Sequence, residues 1–308
     1  MSGEFHIPVL SHEAVRLLIN PDLEDRVLVD GTLGGGGYTK LICESTGEGD
    51  FIYAFDKDLN AIDEARAKLG FCEDKLEIIN ANFADVEKAL AGRGVHEISG
   101  IVLDLGLSSF QIEHEDGFSY LRDTPLDMRA YKEDPLTAGD VLNEYSREEL
   151  LRVFEEYGEI GNAERLAESI AAARRKNRFI TTFQLAGLVE NEYRIGRKNR
   201  MDFLSKIFQA LRIEVNNEIE NLKNALEESL RICASGGRIV VVSYHSLEDR
   251  MVKNFFRSNS ARKKETREGK LLKILTKKPV APGWNEIKAN RRSRSAKLRA
   301  AEIIKTQI

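Results

Sequence analysis

The strongest constraint on the fold comes from four short apolar segments in the first 105 residues, each with the length and composition of a buried strand. They are residues 26–30, 51–56, 76–79 and 101–105, and segments with helical periodicity separate them. Near-continuous apolar strands that alternate with helices are typical of a parallel sheet covered on both faces. The sequence therefore predicts an α/β fold built on a doubly wound sheet.

Acidic residues stand at the ends of three of these strands, and a glycine-rich loop follows the first. Asp30, Asp56 and Asp104 occupy the carboxyl ends, where open α/β sheets bind ligands. Residues 31–37 contain five glycines, which allow a tight turn and close approach of the backbone to a ligand. Asp56 is placed to accept the ribose hydroxyls of an adenosine ligand. Phe83, after the third strand, is placed to stack on adenine, although a core position is the simpler interpretation of Phe83 alone.

Two kinds of adenosine cofactor are compatible with this arrangement. The dinucleotide fingerprint G-x-G-x-x-G fits poorly, because Thr39 stands where glycine or alanine is needed. The order acid-x-Thr-x-Gly-x-Gly is closer to the loop of S-adenosylmethionine enzymes, whose ligand has no phosphates. S-adenosylmethionine is the predicted cofactor, and a nicotinamide-dependent dehydrogenase remains the alternative.

The alternation of strands and helices stops in the middle of the chain. Ser146 and Thr181 each begin a capping box, with Glu149 and Gln184 three residues later. An apolar strand returns at 238–244. The sequence predicts an all-helical insert domain at 113–216, placed inside a discontinuous core formed by 1–112 and 217–308.

Charge is distributed very unevenly along the 308 residues. The net charge of −4 argues by itself against a polyanionic partner. However, residues 250–308 hold 18 lysines and arginines against 4 acids, a local charge of +14, which leaves −18 for the remainder. Such asymmetry indicates contact with nucleic acid or an acidic membrane, or a solvated basic tail.

Several classes of protein find no support. We find neither a signal peptide pattern nor an apolar run of about 18 residues, the length of a membrane span. Cys43, Cys72 and Cys233 are scattered, and the five histidines form no metal-binding pattern. The expectation is a cytoplasmic protein with free thiols, no metal site and no membrane contact.

Eight segments, in order along nearly the whole chain, resemble the ribosomal RNA small subunit methyltransferase H (MraW) family. They are residues 6–10, 30–37, 103–109, 117–119, 125–129, 208–213, 246–250 and 292–299. The resemblance implies a class I S-adenosylmethionine-dependent methyltransferase, Rossmann-like, with an inserted all-helical domain. It also implies N4-methylation of a specific cytidine in the decoding region of 16S rRNA, so the expected partner is the small ribosomal subunit or its RNA. Monomer and homodimer both remain open.

The same resemblance implies a set of cofactor contacts. These are Gly36, Gly37, Tyr38, Asp56, Phe83, Asp104 and Gln111. The chain departs from the family pattern at Tyr38, where histidine is usual, and it lacks a His-Pro-Ala-Thr stretch before Phe208.

Candidate catalytic residues follow from the weak nucleophilicity of the cytosine amino nitrogen, which needs orientation and a proton acceptor. Asp104, Ser108 and His245 are the candidates, and helix capping is the alternative role of His245. Basic side chains near the carboxyl end suit RNA phosphates. The predicted RNA contacts are Arg291, Arg292, Arg294, Lys297 and Arg299.

Two further functions remain as alternatives. One is an RNA-binding assembly factor without catalysis. The other is a DNA amino-methyltransferase, which would usually show an acid or Asn followed by Pro-Pro-aromatic where residues 104–107 read Asp-Leu-Gly-Leu.

Overall fold

A computed structural model of the protein describes residues 8–106, 116–193, 197–260 and 271–304. The chain divides into two compact units, one formed by Met1–Gly106 with Ile219–Ile308 and the other by Leu107–Glu218. The junctions lie six and two residues from the ends of the insert predicted at 113–216.

The described helices, in chain order, are α1 (Ser11–Leu18), α2 (Gly37–Ser45), α3 (Leu59–Leu69), α4 (Val86–Ala91), α5 (Ala138–Glu144), α6 (Arg147–Glu156), α7 (Ala163–Ala173), α8 (Thr182–Glu192), α9 (Arg197–Asn216), α10 (Glu218–Ile232), α11 (Ser246–Ser258) and α12 (Trp284–Ala289). Within the ranges that the structure describes, no helix is both long and apolar enough to span a membrane.

A mixed sheet forms the centre of the first unit. Its strands are β1 (Val27–Asp30), β2 (Phe51–Asp56), β3 (Leu76–Asn80), β4 (Ile98–Asp104), β5 (Cys233–Ser243), β6 (Leu271–Ile274) and β7 (Lys297–Ile304). They lie in the order β3-β2-β1-β4-β5-β7-β6, and β7 runs antiparallel to both of its neighbours, β5 and β6. The chain order reverses between β1 and β4. Open α/β sheets bind ligands at the carboxyl ends of the strands at such a switch point.

Alternate residues of the strands bury themselves on opposite faces of the sheet. Leu28 and Val102 pack with α1, α2 and α3 on one face. Val29 and Leu103 pack with α4, α10 and α11 on the other. Burial on both faces explains why these strands are almost continuously apolar. The predicted doubly wound α/β fold is confirmed.

The last strand lies within the basic segment at the carboxyl end. Of the alternatives for residues 250–308, a solvated basic tail does not describe Lys297–Ile304, which forms β7 and pairs with both β5 and β6. Leu298, Ala300 and Ile303 are almost fully buried there. The high positive charge of this segment gave no sign of the strand within it, whose apolar residues complete the sheet.

The second unit is helical in its described part. Its core is formed by apolar residues of α5 to α9, among them Phe154, Leu166 and Leu211. The capping boxes predicted at Ser146 and Thr181 are both present, so the beginnings of α6 and α8 are confirmed.

Candidate functional site

The glycine-rich loop joins β1 to α2 at the switch point of the sheet. Gly36, with φ of +81°, precedes the first residue of α2 in a conformation that side chains rarely adopt. A Cβ atom on Gly31 would lie 2.4 Å from Leu103 Cδ2 and 3.2 Å from Phe83 Cβ. The loop therefore passes close to β4 and to Phe83, where a larger residue would not fit.

Asp30 anchors this loop from inside the protein. Its side chain is fully buried and accepts a hydrogen bond from the Thr39 hydroxyl at 2.6 Å and one from the Thr32 amide at 3.1 Å. Burial raises the pKa of Asp30 to about 6, against these hydrogen bonds. Asp30 therefore holds the loop in place and is not itself open to a ligand.

Asp56 lies at the end of β2, beside the loop. Its Oδ2 accepts a hydrogen bond from the Gly34 amide at 2.8 Å, and its Oδ1 accepts one from the Asp58 amide at 2.9 Å. Burial raises its pKa, and the two amides oppose that shift. The carboxylate is thus oriented by backbone donors at the edge of the loop. Phe83 lies near the same loop, half-buried, in a short turn that follows β3.

Asp104 and Tyr244 meet where β4 and β5 end. The Tyr244 hydroxyl donates to Asp104 Oδ1 at 2.9 Å, and the Asp104 amide donates to Thr32 Oγ1 at 2.7 Å. Burial raises the pKa of Asp104 to about 8, and the charges of Asp30 and Glu248 add to that effect. The Tyr244 hydrogen bond acts in the opposite direction. This enclosed carboxyl can change its protonation state near neutral pH, as a proton acceptor must.

Tyr38 occupies the first turn of α2 with only 3% of its surface exposed. Its hydroxyl donates to the Val9 carbonyl. Burial raises the pKa of the phenol well above its usual value. The hydroxyl at this position therefore fastens α2 to the segment before α1, and its role in cofactor binding stays a prediction.

His245 is part of the cap at the beginning of α11. The Glu248 amide donates to His245 Nδ1 at 3.4 Å, while Glu248 Oε2 accepts from the Tyr244 amide at 2.8 Å. His245 Nε2 lies 3.0 Å from Glu248 Oε1. The capping role considered for His245 is confirmed, and its catalytic role stays a prediction.

The basic residues predicted to contact RNA fall into two groups. Arg291 and Arg294 are exposed in a short helical turn. Lys297 Nζ lies 3.2 Å from Asp249 Oδ2, and the largely buried Arg299 donates through Nε to Asp249 Oδ1 at 2.6 Å. The positive charge of Arg299 is therefore neutralised by Asp249 inside the protein.

Three predicted residues cannot be placed in this way. Ser108 and Gln111 lie outside the described residues, as does the side chain of Arg292.

Two residues near the site were missed by sequence reasoning. Tyr244 had a usable signal, because it is the last residue of the apolar strand predicted at 238–244. Glu286 had none: its Oε1 accepts from the Leu10 amide, 276 positions away, at 2.7 Å. Burial is the main cause of the raised pKa of Tyr38 and of Tyr244, and the charge of Glu286 adds to it in both, so α12 lies near this end of the sheet.

Comparison with known proteins gives one consistent result. The sequence model of the MraW methylase family matches residues 3–304. A relative from Persephonella marina is 41% identical over 300 residues, covering 97% of this chain and 99% of the relative. One from Caldicellulosiruptor bescii is 42% identical over 316 residues, with the same coverage. One from Carboxydothermus hydrogenoformans is 39% identical over 311 residues, covering 96% and 97%. All three are named ribosomal RNA small subunit methyltransferase H.

Proposed function

The chain belongs to the MraW methylase family, and from that premise we propose that it methylates the N4 nitrogen of a specific cytidine in the decoding region of 16S rRNA. It is an S-adenosylmethionine-dependent methyltransferase of small-subunit ribosomal RNA. The observation that supports an amino nitrogen as the methyl acceptor is the enclosed Asp104 carboxyl, held by Tyr244 next to the glycine loop.

The cysteines support nitrogen rather than ring carbon as the methylated atom. Methylation of cytosine at C5 needs a thiolate that adds to the ring. The chain has three cysteines, and Cys43, Cys72 and Cys233 are all buried in the packed faces of the sheet. Buried thiols of this kind are inert. An exocyclic amino group needs no such adduct.

The residues of the loop fit an adenosine-containing cofactor. We assign Gly36 and Gly37 to close backbone contact, Asp56 to the ribose hydroxyls and Phe83 to the adenine, with Gln111 as a further contact. A close-fitting glycine turn beside an oriented carboxylate supports this assignment. S-adenosylmethionine supplies a methyl group that its positively charged sulfur has already activated.

The chain must then align the amino nitrogen and accept one proton. Held at the glycine loop, S-adenosylmethionine would supply the methyl carbon and keep the electron pair of the carbon–sulfur bond on its sulfur, while the lone pair of the amino nitrogen would form the new bond. The nitrogen then loses a proton, and Asp104 in its ionised form accepts it. A positive charge bound nearby favours this ionised form, although burial opposes it in the free protein. Tyr244 keeps one carboxyl oxygen fixed during the transfer.

RNA binding is assigned to the exposed basic residues. Arg291 and Arg294 are exposed and free to contact phosphates, and we propose Arg292 and Lys297 as further contacts, Lys297 in addition to its ion pair with Asp249. We leave Arg299 out because its guanidinium pairs with Asp249 in a buried position. Phosphate contacts position the RNA, while the target base must leave its stack to reach Asp104.

The test is to map methylated cytidines by mass spectrometry after reaction with naked 16S rRNA and with assembled small subunits. We expect one N4-methylated cytidine in the decoding region in at least one of the two substrates. Methyl transfer to another atom or to another region of the RNA would overturn it.

A second measurement assigns Asp104. In the variant Asp104→Asn, the cofactor Kd and kcat are measured separately. A loss confined to kcat supports proton acceptance from the cytidine, and a raised Kd with unchanged kcat supports cofactor binding instead. If neither value changes, Asp104 has no role in the reaction.

A further inference from the structure

Trp284 is the single tryptophan of the chain and is 72% exposed at the beginning of α12. Tryptophan is highly buried on average in folded proteins. Lys288, one turn later, places its Nζ 5.2 Å from the ring centroid, over the ring. One face of the indole is thus held against a cation, and the high exposure leaves most of the ring open to water.

The helix that carries Trp284 is fastened near the catalytic end of the sheet. Glu286, two residues along, accepts a hydrogen bond from the Leu10 amide. Leu10 adjoins Val9, whose carbonyl accepts from the Tyr38 hydroxyl. The indole is therefore carried by a fixed element rather than by a free loop, on the side where Asp104 and Tyr244 lie.

The residues that flank Trp284 in the sequence carry a net positive charge. Exposed basic residues lie on either side of Trp284 and within α12, and none forms an ion pair with an acid in the described part of the chain. They are Lys277, Lys278, Lys288, Arg291 and Arg294. Between residues 271 and 297 the one acid is Glu286, which is turned to Leu10. Proteins that bind single-stranded RNA combine basic residues with aromatic rings on which bases stack.

We propose that Trp284 is a stacking platform for an unpaired base of the substrate RNA, close to the methylated nucleotide, and that the neighbouring cations contact its phosphates. This inference rests on the proposed RNA substrate. A protein partner is a poorer match, because Trp284 is the one large apolar side chain strongly exposed among the described residues from 271 to 304. A single ring with a cation on one face suits a base better than an apolar protein surface.

The fluorescence of the single tryptophan reports the contact directly. Hexacytidylate, a six-nucleotide RNA, is titrated into the full chain. An abasic ribose-phosphate hexamer of equal charge serves as the matched ligand. We expect saturable quenching by hexacytidylate and little quenching by the abasic hexamer. Equal quenching by both, or none from either at saturation, would overturn the proposal.

Variants test the same contact without relying on fluorescence. Trp284→Ala is expected to bind labelled hexacytidylate about tenfold more weakly, whereas Trp284→Phe retains most of the affinity. Phe71→Ala is the control, because Phe71 is 58% exposed in the turn before β3, at the opposite end of the strands. Unchanged affinity in Trp284→Ala, or an equal loss in Phe71→Ala, would contradict a specific role.

Two further outcomes separate this inference from its alternatives. A blue shift of the emission with anionic lipid vesicles, without any response to RNA, would indicate a membrane contact and refute RNA stacking. Methyl transfer is scored independently. Quenching by hexacytidylate in a protein that methylates no cytidine would refute the proposed function and leave the stacking contact standing.

Discussion

The Tyr244 hydroxyl donates a hydrogen bond to Asp104 Oδ1 at 2.9 Å, and this contact joins the residue after β5 to the last residue of β4. The two residues are 140 positions apart in the sequence. Both strands lie at the centre of the sheet, with Asp104 paired to Val242 in the parallel register. The register therefore brings the phenol and the carboxyl to the same end of the sheet.

Tyr244→Phe is expected to lower kcat and to move the acid limb of the pH–rate profile to higher pH. The hydrogen bond favours the charged form of Asp104, so its removal raises the pKa of that carboxyl further. Hydrogen bonds to charged groups contribute about 1.5–3 kcal/mol, which corresponds to a loss of roughly 10- to 100-fold. The measurement is kcat and kcat/KM across pH 5–10. Tyr53→Phe, in β2, is the control, and a profile in Tyr244→Phe that matches wild type would refute the positioning role.

Asp104 should make the free protein less stable as pH rises. Its pKa is raised from 3.8 to about 8 on folding, so the folded state holds the proton more tightly than the unfolded state. The contribution of this proton to the free energy of unfolding is complete below about pH 4. It is lost as pH rises from about 4 to 8, with a slope of no more than about 1.4 kcal/mol per pH unit. Asp104→Asn lacks this dependence.

Urea unfolding of the wild type and Asp104→Asn at pH 5 and pH 8.5 tests this expectation. The variant should gain stability relative to the wild type at the higher pH. Asp30, whose pKa burial also raises, is present in both proteins and its charge acts on Asp104, so the difference between them reports the Asp104 carboxyl together with that interaction. A difference that stays constant with pH would show that the Asp104 carboxyl does not carry the shift.

The sequence predicted what is local in this site. Asp30, Asp56 and Asp104 were found because each ends an apolar run, and the glycine loop because its residues are consecutive. The Tyr244 contact depends on the register between strands that are far apart in the sequence. Likewise, the burial of Arg299 depends on Asp249, a partner 50 residues away. A charge count cannot distinguish such an arginine from an exposed one.

Alanine variants of Arg294 and Arg299 should show opposite effects, the first on RNA binding and the second on protein stability. Arg294→Ala is expected to change stability by less than about 0.5 kcal/mol. It should also reduce the salt dependence of RNA binding by about one phosphate contact. Arg299→Ala leaves Asp249 with one fewer partner in a largely buried position, and should cost about 2–4 kcal/mol. Urea unfolding and RNA binding from 50 to 300 mM salt measure both effects, and a reversed order of the two variants would contradict the assignment.

Gly31→Ala should weaken cofactor binding through shape alone. The new Cβ would lie 2.4 Å from Leu103 Cδ2 and 3.2 Å from Phe83 Cβ, so the loop or its neighbours must move. Overpacking of this kind costs about 1–3 kcal/mol. Because Phe83 is assigned to the adenine, cofactor affinity should fall about tenfold or more, as measured by calorimetry with S-adenosylmethionine. Gly161→Ala is the matched control, since nothing lies within 4 Å of a Cβ there. If Gly31→Ala binds the cofactor as tightly as Gly161→Ala, the loop does not form the cofactor site.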